Sequence, residues 1–167
     1  MDRGNPPHRK ALLDKALALF QEAYTHQMSG ELEEAITLYQ ASIELFPTAE
    51  AHTFLGWTYS FQGRLEDAIA ECHKAIEVDP EFGNPYNDIG AYLIEQEKLD
   101  DAIPWLERAT SAPRYESYHF PWFNLGRVYV AKEHYNRAIE CFGESLAREP
   151  EYEPARAAML SARLKIN

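Results

Sequence analysis

Apolar side chains recur at three- and four-residue steps along most of the chain, which is the spacing of amphipathic helices. The clearest segment spans residues 64–80, and its apolar stripe consists of Leu65, Ala68, Ile69, Cys72, Ala75 and Ile76. The preceding segment, 51–61, has the same spacing, and Gly63 lies between the two. A glycine at that place lets one helix end and the next begin, and Pro80 stops the second helix. The pattern predicts a helical hairpin.

This hairpin pattern is one of four. A small residue is followed twelve places later by alanine at Ala23 and Ala35, Gly56 and Ala68, Gly90 and Ala102, and Gly126 and Ala138. Successive pairs are offset by 33, 34 and 36 residues. A repeat of this length indicates a solenoid of stacked helix pairs, since one hairpin cannot bury its whole apolar face.

The repeats resemble those of the tetratricopeptide repeat family. The second repeat has the fullest pattern, with Leu55, Gly56, Tyr59, Gly63, Ala68, Ala75 and Pro80, and the fourth is nearly as complete, with Trp122, Leu125, Gly126, Tyr129, Ala138, Phe142 and Pro150. The third has Leu93 in place of the family's tyrosine, and the first has Ala23 in place of glycine. The resemblance implies an all-α, right-handed α-α superhelix (a solenoid) of four helical hairpins with a C-terminal capping helix.

The resemblance also implies a division of the chain. We expect an N-terminal tail and helix extension over 1–15, with the first seven residues loose, and four repeats over 16–152. The repeats span 16–48, 49–82, 83–118 and 119–152, and a capping helix follows over 153–167.

Two features depart from a regular repeat. Pro104 falls inside the second helix of the third repeat, where it removes one backbone hydrogen bond. The connection between the third and fourth repeats is two residues longer than usual and rich in aromatic residues. Its segment 113–123 forms either a lip on the binding groove or a wedge that packs the longer loop, and we favour packing.

Composition limits the partners. With 16 Lys and Arg against 27 Asp and Glu, the net charge of −11 argues against nucleic acid and against an anionic membrane surface. We expect a neutral to basic protein or peptide partner with apolar side chains, although acidic surfaces mostly serve solubility. No apolar run is long enough to span a membrane, and charges interrupt any signal-peptide core near the start, so a cytoplasmic location is expected.

No catalytic motif is present. The sequence contains no phosphate-binding glycine loop, nucleophile elbow or paired-histidine zinc motif. The acidic pairs, such as Glu66 with Asp67, fall at helix starts, where they complement the helix dipole. We therefore expect no enzyme activity, no cofactor and no metal site, and we interpret Cys72 and Cys141 as reduced core thiols.

The family resemblance places ligand contacts on the first helix of each repeat, along a concave groove. Aromatic and arginine side chains on such a surface are typical of interface hot spots, and asparagines are suited to hydrogen-bonding a peptide backbone. Each of these aromatics has packing between repeats as its alternative role. The candidate groove residues are Trp57, Phe123, Asn87, Arg127, Asn124, Asn84, Thr53, Phe61, Tyr24 and Phe20.

The sequence thus predicts a non-catalytic scaffold or adaptor that binds a peptide or protein segment. One alternative is a self-assembling structural module, since an acidic groove would accept the basic C-terminal segment of a neighbouring copy. Another is a pilus or secretion-type assembly factor. The longer connection resembles that of bacterial type IV pilus-assembly pilot proteins, but the lipoprotein signal and cysteine of that group are missing here.

Overall fold

The computed structural model describes residues 6–166, which fold as two compact units that meet in sequence between Pro80 and Glu81. The first unit contains α1 (Pro6–Met28), α2 (Leu32–Leu45), α3 (Ala49–Phe61) and α4 (Leu65–Val78). The second contains α5 (Asn84–Glu95), α6 (Leu99–Ala109), α7 (His119–Ala131), α8 (Tyr135–Arg148) and α9 (Glu153–Leu164). Over the described residues the regular elements are all helices, which confirms the all-α prediction.

The N-terminal helix starts earlier than expected. It begins at Pro6, within the segment 1–7 that was expected to be loose, and the rest of that segment, residues 1–5, lies outside the described residues. Proline is tolerated in a first helical turn because its missing N–H would have no partner there. The predicted helix extension over Arg9–Lys15 is therefore part of α1.

The four hairpins pair α1 with α2, α3 with α4, α5 with α6, and α7 with α8. The first helix of each hairpin ends near a residue of positive φ. In the first unit these residues are glycines, Gly30 (φ +80°) and Gly63 (φ +73°). In the second unit they are glutamates, Glu97 (φ +59°) and Glu133 (φ +60°). Glycine adopts this conformation without a Cβ penalty, whereas other residues pay about 1–2 kcal/mol. The prediction for Gly63 is confirmed.

Small residues allow close packing within the hairpins, but the bulky neighbours differ from those expected. A Cβ at Gly56 would lie 2.9 Å from the carbonyl oxygen of Ala68, which confirms the predicted close approach. A Cβ at Gly90 would lie 2.4 Å from the Leu106 side chain, and a Cβ at Gly126 would lie 2.3 Å from the Phe142 ring. The sequence alone favours Tyr59, Tyr129 and the neighbouring leucines as the residues that fill this space. At Gly90 and Gly126 the structure gives the role to Leu106 and Phe142, because each lies one helical turn after the alanine of its repeat and points into the same gap.

The insert packs onto the start of α5. The N–H of Gly83 donates to the Arg114 carbonyl (3.0 Å), and the N–H of Arg114 donates to the Glu81 carbonyl (3.0 Å). The Tyr118 hydroxyl donates to the Ala112 carbonyl at 2.6 Å. These bonds tie both ends of the loop, in agreement with the packing interpretation.

The last helix, α9, closes the second unit. It packs on α8 and α7 through small residues, and both Ala155 and Ala162 are buried. Its opposite side is exposed and carries Leu160 and Leu164. None of the helices within residues 6–166 combines the length and apolar character that crossing a bilayer requires.

Candidate functional site

Five aromatic side chains of the first unit form a continuous series of ring contacts, which we call the aromatic row. Phe54 is in contact with Phe20 (ring centroids 5.2 Å apart), Tyr24 (5.8 Å) and Trp57 (5.7 Å), and Trp57 is in contact with Phe61 (5.2 Å). The three contacts of Phe54 are edge-to-face, a favourable arrangement for aromatic quadrupoles. Four of the five residues were predicted as groove residues, and the structure brings them together.

The aromatic row has a packed centre and exposed edges. Phe20 is half-buried and also contacts the ring of Tyr39 on α2, at 5.5 Å between centroids. Trp57 is half-buried, whereas Tyr24 is 38% exposed and Phe61 is 55% exposed. The packing alternative therefore describes the centre of the row, and its edges are free to contact a ligand.

Phe54 is the member that sequence reasoning missed as a site residue. Its position in the helical stripe of 51–61 indicated only a core side chain. Its contacts to α1 depend on how two helices 30 or more residues apart are packed, which a helical period does not specify.

Thr53 does not join this surface. Its side chain is buried, and its hydroxyl donates to the carbonyl of Ala49 at 2.7 Å, one turn earlier in the same helix. The hydroxyl therefore donates its hydrogen bond within its own helix and does not offer it to a ligand.

In the second unit four polar side chains form a hydrogen-bonded chain, which we call the polar row. The Arg127 guanidinium donates to the Asn124 Oδ1 (3.0 Å), and the Asn124 Nδ2 donates to the Asn87 Oδ1 (3.0 Å). The Asn87 Nδ2 then donates to the Asp88 Oδ1 at 3.3 Å. Both asparagines are buried, while Arg127 is exposed at the end of the row. The mutual bonds fix the two amides and the guanidinium.

Asp88 has a perturbed acidity. Burial raises the pKa of its carboxyl group to about 7, and the hydrogen bond from Asn87 offsets only part of this effect. Burial also raises the pKa of the nearby Tyr115 hydroxyl, and the charge of Asp88 adds to this effect. A carboxyl group of this kind changes its charge near neutral pH.

The two remaining candidates have separate surroundings in the second unit. Asn84 is half-buried and lines a cavity of about 270 Å³ together with Phe82 and Tyr115. Phe123 is half-buried between the rings of Phe142 (5.8 Å between centroids) and Tyr152 (5.3 Å). Packing within the second unit therefore accounts for much of the Phe123 side chain.

A buried hydrogen-bonded pair also escaped the sequence interpretation. His52 on α3 and Glu71 on α4 are both buried, and the His52 Nδ1 lies 2.7 Å from the Glu71 Oε2. Lys74 contacts the other carboxylate oxygen at 2.5 Å. Burial alone would raise the pKa of Glu71, but the hydrogen bonds from His52 and Lys74 lower it below its ordinary value. The two partners are 19 residues apart, and no local spacing signals their contact.

The exposed parts of the two rows differ in chemistry. Tyr24 and Phe61 present aromatic edges, and Arg127 presents a guanidinium that can donate to carbonyl groups, whereas the amides of Asn87 and Asn124 are buried and bonded to one another. Within residues 6–166 no cluster of three His, Cys, Asp or Glu side chains is arranged to hold a metal ion.

Comparison with known families gives a consistent result. Residues 49–82 match one tetratricopeptide repeat model, and residues 16–49 and 119–152 match a second. The matched segments contain the hairpins of α3 with α4 and of α7 with α8, together with α2 and the part of α1 that starts at residue 16.

Several known proteins are similar over most of the chain. The type IV pilus assembly protein PilF of Pseudomonas aeruginosa is 26% identical, over 93% of this chain and 66% of PilF. A solved structure from the functional characterization of PilF has a TM-score of 0.85 over 92% of this chain and 70% of that one, at 24% identity. PilW, a type IV pilus biogenesis factor, has a TM-score of 0.82 at 16% identity over 89% of this chain and 69% of that one. YrrB, described as a TPR protein with an unusual peptide-binding site, has a TM-score of 0.67 at 22% identity over 88% of this chain and 75% of that one.

Proposed function

The chain belongs to the tetratricopeptide repeat family, and from this membership we propose that it is a non-catalytic scaffold that binds a segment of a partner protein. The proposed contacts are the exposed edges of the aromatic row in the first unit. Arg127 of the polar row is a separate candidate contact on the second unit. The partner segment is neutral to basic and carries apolar side chains.

One observation carries this proposal: Tyr24 and Phe61 remain exposed although they belong to a packed series of aromatic rings. Large aromatic side chains anchored by their neighbours lose little conformational entropy on binding, and such residues dominate interface energies. The net charge of −11 supports a partner that is not acidic.

The test is a selection of binding peptides from a phage-displayed random library, followed by calorimetry with the purified chain. We expect Phe61→Ala and Trp57→Ala to weaken binding of the selected peptides about tenfold or more. The matched control is Val78→Ala, which removes an exposed apolar side chain from α4 instead. Equal affinities for all three variants, with unchanged circular dichroism, would refute the role of the aromatic row.

A second candidate function is a part in pilus or secretion-system assembly, and two similar proteins favour it. PilF and PilW are both named for type IV pilus assembly or biogenesis. This chain spans 66% of the length of PilF, so the role of the whole relative is carried over only as a proposal. We expect cells that lack this chain to lose surface pili. Expression of the wild-type protein in these cells should restore more pili than expression of the Trp57→Ala variant. Normal piliation without the chain would exclude this role.

A further inference from the structure

A groove runs between α6 and α8 in the second unit, and α7 forms its floor. The two outer helices each pack on α7 and do not contact one another. The space between them is a cavity of about 430 Å³, which is within the range of cavities that bind ligands, about 300–1,000 Å³. Its floor includes Trp122, Leu125 and Tyr129 of α7, and its sides include Glu107 of α6 and Glu140, Cys141 and Glu144 of α8. We call this cavity the α6–α8 groove.

Three glutamates, Glu107, Glu140 and Glu144, line the α6–α8 groove together with one arginine, Arg137. Burial raises the pKa of the Cys141 thiol to about 11, while Arg137 lowers it and the carboxylates of Glu140, Glu144 and Glu107 raise it. Glu144 is paired with Arg148 at 2.6 Å. Among the described residues, no ion pair involves Glu107 or Glu140. An apolar floor beside unpaired carboxylates is complementary to an apolar segment that carries positive charge.

The first unit provides an internal comparison, because its second repeat has the same helical hairpin. Seventy residues earlier, the places of Trp122, Cys141 and Glu144 are taken by His52, Glu71 and Lys74. These three side chains bond one another, at 2.7 Å and 2.5 Å. The first unit therefore fills this place with its own charge-balanced network. In the second unit Glu144 pairs with Arg148 at 2.6 Å, and the Arg148 guanidinium lies 5.1 Å from the centre of the Trp122 ring. Two further carboxylates line the groove there, those of Glu107 and Glu140, and neither has an ion-pair partner among the described residues.

The chain itself carries a segment with the complementary chemistry. At the C-terminal end of α9, Leu160 is 61% exposed and Leu164 is 70% exposed, and their four-residue spacing places them on one face. Arg163 and Lys165 lie beside them in sequence, and both are exposed. We call residues 160–165 the α9 end. Its exposed surface is apolar and basic, whereas the α6–α8 groove is apolar and acidic.

We propose that the α9 end of one copy of this chain binds in the α6–α8 groove of a second copy. Leu160 and Leu164 contact the apolar floor, and Arg163 and Lys165 pair with Glu107 and Glu140. Binding occurs between copies because α9 is held against α8 and α7 of its own unit. Each copy then offers a groove to one neighbour and an α9 end to another, so the contact is head-to-tail and repeats along an open chain of molecules.

The test uses two complementary variants of the full chain. Glu140→Ala/Glu144→Lys blocks the groove by introducing the residues that the first unit has in the same places, Ala70 and Lys74. Leu160→Ser/Leu164→Ser blocks the α9 end, where both side chains are exposed and contribute little to folding. In analytical ultracentrifugation we expect the average mass of the wild type to rise with concentration. Each variant alone is expected to remain at the monomer mass of 19.2 kDa.

The decisive sample is a 1:1 mixture of the two variants, because it contains one intact groove and one intact α9 end per pair. We expect a dimer of twice 19.2 kDa and nothing larger. The charge-matched control Glu95→Lys/Asp101→Ala changes the net charge equally outside the groove and should associate like the wild type. A wild type that stays monomeric, a mixture that stays monomeric, or a control that behaves like the groove variant would each overturn the proposal. All of these samples leave the aromatic row intact, so failure here does not bear on peptide binding there.

Discussion

At the residue scale, Glu71 in the first unit and Asp88 in the second have carboxyl groups whose pKa values are shifted in opposite directions. Glu71 has two cationic or proton-sharing partners, His52 and Lys74, which favour its charged form. Among the described residues, Asp88 accepts a hydrogen bond from the amide of Asn87 alone, and burial favours its neutral form. Because each shift links protonation to folding, the two groups make opposite contributions to the pH dependence of stability.

Glu71→Gln tests the first of these contributions. The folded-state pKa of Glu71 is lowered, so its stabilisation is present above about pH 4.5 and is lost as pH falls below that value. We expect the variant to lower the free energy of unfolding at pH 7 by about 2 kcal/mol, since hydrogen bonds to charged groups contribute about 1.5–3 kcal/mol. Urea titrations should show this difference shrinking on acidification. Glu77→Gln, an exposed change on the same helix, is the control, and an equal loss there would contradict the assignment.

Asp88→Asn tests the second contribution. With a pKa of about 7 in the folded state and 3.8 as the ordinary value, the folded protein binds more protons between these pH values. The contribution of Asp88 to stability therefore falls as pH rises from about 4 to 7. We expect Asp88→Asn to be more stable than the wild type at pH 8 and to lose that advantage near pH 4. A stability difference that does not change with pH would show that Asp88 ionises normally.

At the element scale, the hairpins were accessible from sequence because local rules determine them. Helical period, the turn at Gly63 and the small residue at Gly56 all act within about one repeat, and each prediction was confirmed. The hydrogen bond between Asn87 and Asn124 could not be predicted from the sequence, although both residues were predicted as groove residues. The two asparagines lie on different helices and are 37 residues apart. The bridge between Phe82 and Arg114 was missed for the same reason.

Two glycines in adjacent helices test how closely α7 and α8 pack. A Cβ at Gly126 would lie 2.3 Å from the Phe142 ring, whereas a Cβ at Gly143 meets no atom within 4 Å. We expect Gly126→Ala to destabilise the protein by about 1–3 kcal/mol, the usual cost of overpacking. Gly143→Ala should stabilise it by about 0.5–1 kcal/mol, because alanine is the better residue inside a helix. Denaturant unfolding of both variants is the measurement, and effects of the same sign would contradict the packing at Gly126.

At the scale of the whole molecule, two electrostatic effects compete: the repulsion caused by the net charge and the attraction within the surface ion pairs. The chain has 27 acidic and 16 basic residues. Most of the ion pairs found among residues 6–166 are at least half-exposed at one partner. Exposed pairs contribute little, with a median of about 0–1 kcal/mol, whereas a large net charge destabilises the compact state through self-repulsion. Salt weakens both effects. The direction in which the unfolding temperature changes with added salt therefore shows which of the two is larger.

We expect added sodium chloride to raise the unfolding temperature, because screening relieves the repulsion of a chain with net charge −11. A gain of about 1 kcal/mol corresponds to roughly 2–4 °C for a chain of this size. Differential scanning calorimetry from low to physiological ionic strength measures the effect. Glu95→Lys/Asp101→Lys reduces the net charge from −11 to −7, since each change adds two positive charges, and should respond less to salt. An unfolding temperature that falls with salt would mean that the surface ion pairs, rather than the net charge, dominate the electrostatic stability of the protein.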